Sequence, residues 1–266
     1  MKRKQVITLL SDFGLRDSYV AEMKAVILGI CPDALIVDVC HEITKYDIKM
    51  GAYMLARAAP FFPKGTIHVA VVDPEVGTKR KPIIIMTKHH MYVGPDNGLL
   101  VLSAEKEGID KVYEITNQNY MLRNISRTFH GRDIFSPAAA YLALGIPASD
   151  FGPEISEIIK PSFSQPKVCE QEILGEVIHV DGFGNIVTNI SSEHLRRIGI
   201  KEEESLTVVL RNSKFAIKWC SSYSEVQIDT PLIIEGSSGL IEMTVNRGDA
   251  SRFLGVKTGD KIVFKV

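Results

Sequence analysis

Long apolar runs are missing from this sequence of 266 residues: none approaches the roughly 20 residues that a bilayer-spanning helix needs. No membrane partner is therefore expected. The start, "MKRKQVITLLSDFG", has a basic head but only about five apolar residues before Ser11 and Asp12, where a secretory leader needs about 7–15. It reads as the first strand of a cytoplasmic protein. Cysteine is scarce: Cys31, Cys40, Cys169 and Cys220 form no C-x-x-C pair. Cys40 beside His41 has no second ligand pair to complete a zinc site, and reduced, partly buried thiols are expected. Charge of one sign is also missing. Lysine and arginine number 31 against 32 acids, a net −1, and no basic stripe marks a nucleic-acid partner. Nor is there a P-loop, a G-x-G-x-x-G fingerprint, an H-E-x-x-H or a G-x-S-x-G elbow.

What is present is an ordinary globular composition, 45% apolar and 24% charged, long enough for one large domain or two modest ones. The first part alternates two periodicities. "QVITLL", "ALIVDV", "GTIHVAVVD" and "KPIIIMT" read as strands. "SYVAEMKAVILGIC", with Val20, Met23, Ile27 and Ile30 on one face, and "DIKMGAYMLARAA", stopped by Pro60, read as helices. This order predicts βαβ units and an α/β domain with a largely parallel, doubly covered sheet. Ligands of such sheets bind at the carboxyl ends of strands. Those ends here carry Asp12, then His41 and Glu42, then Asp73, then Asp96 and Asn97.

Near residues 152–170 the pattern changes. "GPEISEIIKPSFSQPKVCEQE" has three prolines and no clean period, as a linker would. Beyond it "EILGEVIHV", "LTVVL", "KFAIKW", "PLIIEG", "LIEMTV" and "DKIVFKV" are strands separated by turn signals. The expected division is an α/β domain over residues 1–155, a linker over 156–170, and a smaller all-β, antiparallel, barrel-like domain over 171–266.

Five stretches carry more polar chemistry than their local structure demands. In "SDFGLRDSYV", Asp17 or Ser18 suits a helix cap, while Asp12 at a strand end suits a vicinal diol. In "VVDPEVGTKR", Arg80 lies seven residues after Asp73, near enough to fold back onto it. In "TFHGRDIFSPAAAYLALG", Asp133 or Ser136 suits a cap of the helix through Ala138–Leu144, with Pro137 in its first turn, but His130 has no such role. It precedes a Gly-Arg-Asp turn at a helix start, where polar substrates bind well. In "DGFGNIVTNI", Asp181, Asn185 and Asn189 suit a hairpin, and an asparagine amide also suits a base edge. In "SSGLIEMTVNRGDASRFLG", Arg247 suits either an exposed turn or a bidentate grip on a carboxylate.

Taken in order, "SDFG", "DPEVGT", "TFHGRD", "DGFGN" and "VNRG" resemble the S-adenosylmethionine (SAM) hydrolases, or SAM hydroxide adenosyltransferases, which are similar in fold to fluorinating and chlorinating enzymes. The resemblance runs from about Val6 to the C-terminus. It implies that water displaces methionine from the ribose 5′ carbon of SAM, giving adenosine and L-methionine, with no cofactor and no metal. It implies a homotrimer in which the N-terminal domain of one subunit meets the β domain of a neighbour. Matching the motifs gives Asp73, Arg80 and His130 as the set that positions the water, and Asp12 as the ribose grip. Asn185 and the backbone near Ala250 match adenine-binding positions. Asp181, Ser238, Glu242, Asn246 and Arg247 match the group around the methionine and adenosine ends.

Glu75 stands where the family usually has glycine, and it would be strained if that position needs positive φ. The intact "TFHGRD" and the lack of an inserted loop favour water over halide. The chemistry agrees with the absent metal motifs: a neutral thioether leaves a sulfonium, so the leaving group needs no acid. The demand is to hold water about 3–3.5 Å behind the carbon, with Asp73 or His130 to take its proton. Two rivals remain: a metal-dependent hydrolase using Asp12, His41, Asp73, Asp96 and His130 as ligands, and a non-catalytic sensor of adenosine or SAM.

Overall fold

The computed structural model describes residues 4–160, 165–211 and 213–266. The chain divides into two compact units, Met1–Ser162 and Phe163–Val266.

The first unit runs β1 (Val6–Ser11), α1 (Tyr19–Ile30), β2 (Leu35–Cys40), α2 (Ile48–Ala58), β3 (Ile67–Val71), β4 (Pro82–Thr87), β5 (Met91–Pro95), α3 (Val101–Glu107), β6 (Ile109–Glu114) and α4 (Ser136–Ala143). Its sheet has the order β2-β1-β3-β5-β4-β6. Pairings from β2 through β5 are parallel, and only β4 runs against its neighbours. Alternation sorts the strands by face. Ile7, Leu9, Ile67, Val69 and Val93 join Met23 and Ile27 of α1 and the alanines of α4 in one core. The other face meets α2, where a Cβ at Gly51 would lie 2.7 Å from Leu99 and 3.1 Å from Val72. The helix can sit this close only because that side chain is absent. Of the expected linker, Ile159 N–H donates to Asp96 at 2.8 Å, Lys160 pairs with Glu105, and residues 161–164 lie outside the described part.

The second unit comprises β7 (Lys167–Val168), β8 (Glu172–Val180), β9 (Ile186–Ser191), α5 (Ser192–Arg197), β10 (Ser205–Leu210), β11 (Ser213–Trp219), β12 (Pro231–Glu235), β13 (Leu240–Val245), α6 (Ala250–Leu254) and β14 (Lys261–Lys265). The order β14-β10-β11-β12-β13-β9-β8 closes through a β14–β8 pairing into a barrel of seven strands, with β7 outside it on β8. Closure removes the free sheet edges. One pairing departs from the antiparallel expectation. β11 and β12 are parallel, because the connection between them crosses the barrel end instead of turning back as a hairpin. Every second residue of β13, Ile241, Met243 and Val245, enters the barrel core with Trp219 and Phe264.

The helix caps differ from expectation. Ser18 occupies the N-cap position of α1, but its hydroxyl donates to Glu22 Oε1 at 2.7 Å rather than capping. Neither Asp133 nor Ser136 caps α4, because α4 has no free start: Gly131–Phe135 form a π-helical turn continuous with it. Pro137 explains that turn. It lacks the N–H that would reach the carbonyl four residues back, and its ring would crowd that carbonyl. Asp133 C=O, left without its helical donor, takes the N–H of Leu122 at 2.9 Å instead.

Candidate active site

Four of the singled-out residues lie in the first unit, and three of them touch. Asp73 follows β3 by two residues, and the Asn97 amide fixes that strand end by donating to Val72 C=O at 2.8 Å. The loop then turns back through Gly77, whose φ is +78° and whose Cβ, if present, would lie 2.3 Å from Arg127 C=O. Both the left-handed backbone and the close approach demand glycine there. Glu75 is not among the residues with positive φ and is exposed, so it carries no such strain.

The turn returns Arg80 to Asp73. Its Nε lies 3.0 Å from each carboxylate oxygen, and its Nη2 also donates to Asp73 Oδ2. The side chains are 2% and 4% exposed. The same Nη2 reaches His130 Nδ1 at 2.9 Å, and the guanidinium carbon lies 5.2 Å from the centre of the Phe135 ring. Nη1 is buried and has no partner among the described residues.

An arginine only donates, so His130 Nδ1 is the acceptor and the ring proton sits on Nε2. Burial, and then the charge of Arg80, hold the His130 pKa below the ordinary histidine range, which keeps the ring neutral at pH 7. The rest of the motif anchors the histidine. Asp133, fully buried, accepts Ser126 N–H at 2.7 Å and Arg132 Nε at 2.7 Å. Arg132 Nη1 bonds Glu22 on α1 at 2.8 Å, and its guanidinium covers the Phe129 ring. The polar cluster before the alanines thus splits into His130, which meets Arg80, and a brace made by Arg132 and Asp133.

Asp12 follows β1 directly and is buried. Tyr46 N–H donates to its Oδ2 at 2.9 Å, and Lys45 Nζ donates to its carbonyl. Tyr46 adopts φ 66° and is 70% exposed. A bulky residue in left-handed conformation stores strain, and such strain concentrates at functional sites. Nothing in "TKYDI" signalled this residue. The metal-ligand alternative does not assemble. Asp96 takes Ile159 N–H, His41 bonds Ser11, and Asp73 bonds Arg80. Among the described residues no three His, Cys, Asp or Glu side chains converge as a ligand set.

The second unit holds the other seven. Asp181 organises the turn between β8 and β9. Its carboxylate accepts the N–H of Phe183 and of Asn185, each at 2.9 Å, and the Asn185 amide N–H at 2.9 Å. Asn185 Oδ1 accepts from Thr244. Both ends of that amide therefore already have protein partners, leaving one N–H of its NH₂ group over. The same turn displays Phe183, 82% exposed, which no local pattern in the sequence singles out.

The turn meets the start of α6. Ser251 N–H donates to Gly184 C=O at 3.0 Å, and a Cβ at Gly184 would lie 2.2 Å from Asp249. Ala250 is buried there as the first residue of α6. Asn246 donates to Val226 C=O at 2.9 Å, and exposed Arg247 sits beside it at φ 60° in the turn closed by Gly248 N–H to Val245 C=O. Asp181, Asn185, Asn246, Arg247 and Ala250 thus share one end of the barrel. Ser238 and Glu242 belong elsewhere. Ser238 lies in the turn at the opposite end of β13, and the Glu242 carboxylate packs under Gly236 of that turn.

Residues 7–152 match the model of the SAM hydroxide adenosyltransferase N-terminal domain, and residues 175–263 that of its C-terminal domain. A protein of Salinispora tropica named (R)-S-adenosyl-L-methionine hydrolase is 36% identical over 96% of this chain and 96% of its own. A fluorinase of an Actinoplanes species is 28% identical over 96% of this chain and 95% of its own. The crystal structure of an uncharacterized conserved protein from Thermotoga maritima superposes with a TM-score of 0.94 at 37% identity, covering 98% of this chain and all of that one.

Proposed function

The chain belongs to the SAM hydroxide adenosyltransferase family, and we propose from this that it hydrolyses SAM to adenosine and L-methionine. The observation that carries the reading is the chain of contacts from Asp73 through Arg80 to His130. The C5′–S bond breaks and its electron pair leaves with methionine as a neutral thioether. A C5′–O bond forms from water, and one water proton is released. The protein's task is to hold and orient that water.

His130 presents Nε2–H and so donates to the water oxygen, which leaves the Asp73 carboxylate to accept the proton. Arg80 holds both in place and takes no proton itself, since a guanidinium stays charged. Asp12, with one oxygen fixed by Tyr46 N–H, grips the ribose diol. Asp181, Asn185, Asn246, Arg247 and Ala250, which share one end of the barrel, serve the adenosine and methionine ends. Because both ends of the Asn185 amide are engaged, its part is to shape the adenine pocket and offer a single N–H. The same reading carries a homotrimer, a cytoplasmic location and no metal requirement.

A sulfonium with three different substituents exists as two epimers. The name of the Salinispora relative specifies one of them, and the (R) epimer is the proposed preferred substrate here. Incubating purified protein with each epimer, with and without chelator, is expected to yield adenosine and methionine in equal amounts, unaffected by chelator and faster from the (R) form. No turnover of either epimer, inhibition by chelator, or consumption that depends on halide would each overturn the assignment. In the same assay His130→Ala is expected to lower turnover by more than roughly tenfold while SAM still binds. Unchanged turnover would remove His130 from the mechanism.

A further inference from the structure

The turn that carries Asp12 is braced by a second histidine that has no place in the water-holding set. β1 and β2 pair in parallel with Leu9 opposite Asp38, but Leu10 faces Cys40, so Val39 is an extra residue in β2. Such a bulge re-aims the side chains after it. Regular pairing would carry His41 alongside Asp12; the slip brings it alongside Ser11, the last residue of β1. There His41 Nδ1 lies 2.7 Å from Ser11 Oγ, with both side chains buried. Ser11 Oγ also accepts Phe13 N–H at 3.3 Å, and His41 C=O accepts Gly14 N–H at 2.7 Å. Gly14 takes φ +70°, which lets the turn close. One histidine thus holds the turn from both sides of Asp12.

The other ring nitrogen, Nε2, faces Asp38 Oδ1 at 3.2 Å, a close polar contact that is not aligned as a hydrogen bond. Asp38 Oδ2 is paired with Lys24 at 2.6 Å. A lone pair facing a carboxylate would be repelled, so the proton belongs on Nε2 and Nδ1 accepts from the serine. Burial holds the His41 pKa below the ordinary range against the opposing pull of Asp38, so the neutral ring this order requires is the one present at pH 7. The polar chain therefore runs from Phe13 N–H through Ser11 O–H to His41 and on to Asp38 and Lys24.

We propose that His41 is a positioning residue for Asp12, holding the turn between Ser11 and Gly14 so that the carboxylate meets both ribose hydroxyls. This rests on the reading of Asp12 as the ribose grip. A grip on a diol has a signature that general loosening does not share: preference for adenosine over 2′-deoxyadenosine.

The experiment is calorimetric titration of the full chain with both nucleosides, alongside SAM turnover. In His41→Ala the preference for adenosine is expected to fall by about fivefold, the worth of one well-placed hydrogen bond, and KM for SAM to rise with kcat little changed. Asp12→Ala is expected to abolish the preference, and adding His41→Ala to it to change nothing further. Should His41→Ala fail to fold, Asp38→Asn tests the same relay from a half-exposed position, with a smaller loss in the same direction.

A wild-type preference retained in His41→Ala, or in Asp38→Asn where His41→Ala does not fold, in protein that turns SAM over normally, would overturn the inference alone. Wild-type protein that neither binds adenosine nor consumes SAM would overturn the underlying reading, and this inference with it.

Discussion

Arg80→Met is expected to lower the stability of the first unit by about 3–5 kcal/mol and to cut SAM turnover by at least about 100-fold. The two losses have different causes and can be separated. Asp73 is 4% exposed, and its carboxylate has no protein donor other than Arg80 among the described residues. Methionine keeps the bulk against Phe135 but leaves a charge buried without a partner, and this is the costly way to break an ion pair. Removing both charges is far less costly, so Asp73→Asn added to Arg80→Met is expected to recover most of the stability. It should recover no turnover, because the acceptor for the water's proton is gone and His130 has lost the donor that fixes its ring. Thermal unfolding and adenosine release, measured on the wild type, the two single variants and the double, check this. Equal melting temperatures across the four would show that the pair is not buried in solution. Turnover restored in the double variant would show that the set is a structural brace.

The parts of this arrangement that were legible in the sequence share a property: each is set by neighbours along the chain. Alternation in "VITLL" and "IHVAV" marks central strands, helical spacing in "VAEMKAVILGI" marks a covering helix, and polar groups just after strand ends mark a site. The return of Arg80 onto Asp73 was legible because the loop between them is short. What stayed hidden depends on contacts between distant segments. Pro137 marks a break at the π turn, but the acceptor it leaves over, Asp133 C=O, is satisfied only by the distant Leu122 N–H. The strain at Tyr46 has a cause only once Asp12 needs its N–H. The bulge at Val39 leaves no mark in "LIVDVC", an unremarkable strand, yet it decides which residue His41 faces. The parallel β11–β12 pair depends on how the barrel closes, which no local pattern encodes. The activity was read from a resemblance that five ordered motifs carry together, whereas bulges and π turns use ordinary residues that no motif marks.

A second hidden feature carries the other large effect. Lowering the pH from 6.5 to 5 is expected to cost the first unit about 2 kcal/mol through His68 alone. Thr8, His68 and Tyr92 stand side by side on β1, β3 and β5, a polar stripe across an otherwise apolar sheet face. His68 is fully buried, its Nδ1 lies 2.7 Å from Thr8 Oγ1, and its Nε2 has no hydrogen-bond partner among the described residues. Its ring lies 4.9 Å from that of His90, which is paired with Glu107 at 2.6 Å. Burial, and then the neighbouring His90, push its pKa from 6.5 down to about 3. The folded protein therefore binds the proton far more weakly than the unfolded chain does. Stability from this residue is fully present above pH 6.5 and falls as the pH drops toward 3, by about 1.4 kcal/mol per pH step. The interval down to pH 5 lies above the range in which Glu107, whose pKa is lowered by its partners, gives up its own contribution.

His41 and His130 titrate with the same sign, so the wild type alone cannot assign the loss to one ring. His68→Gln can: the amide still bonds Thr8 but takes up no proton, and the extra destabilisation between pH 6.5 and 5 should shrink by about 2 kcal/mol. Trp219, the one tryptophan, lies in the second unit and does not report on this sheet. Hydrogen exchange of the β1, β3 and β5 amides, measured at both pH values in wild type and variant, does. An identical pH dependence in the two proteins would mean that His68 is protonated, or hydrated, in the folded state.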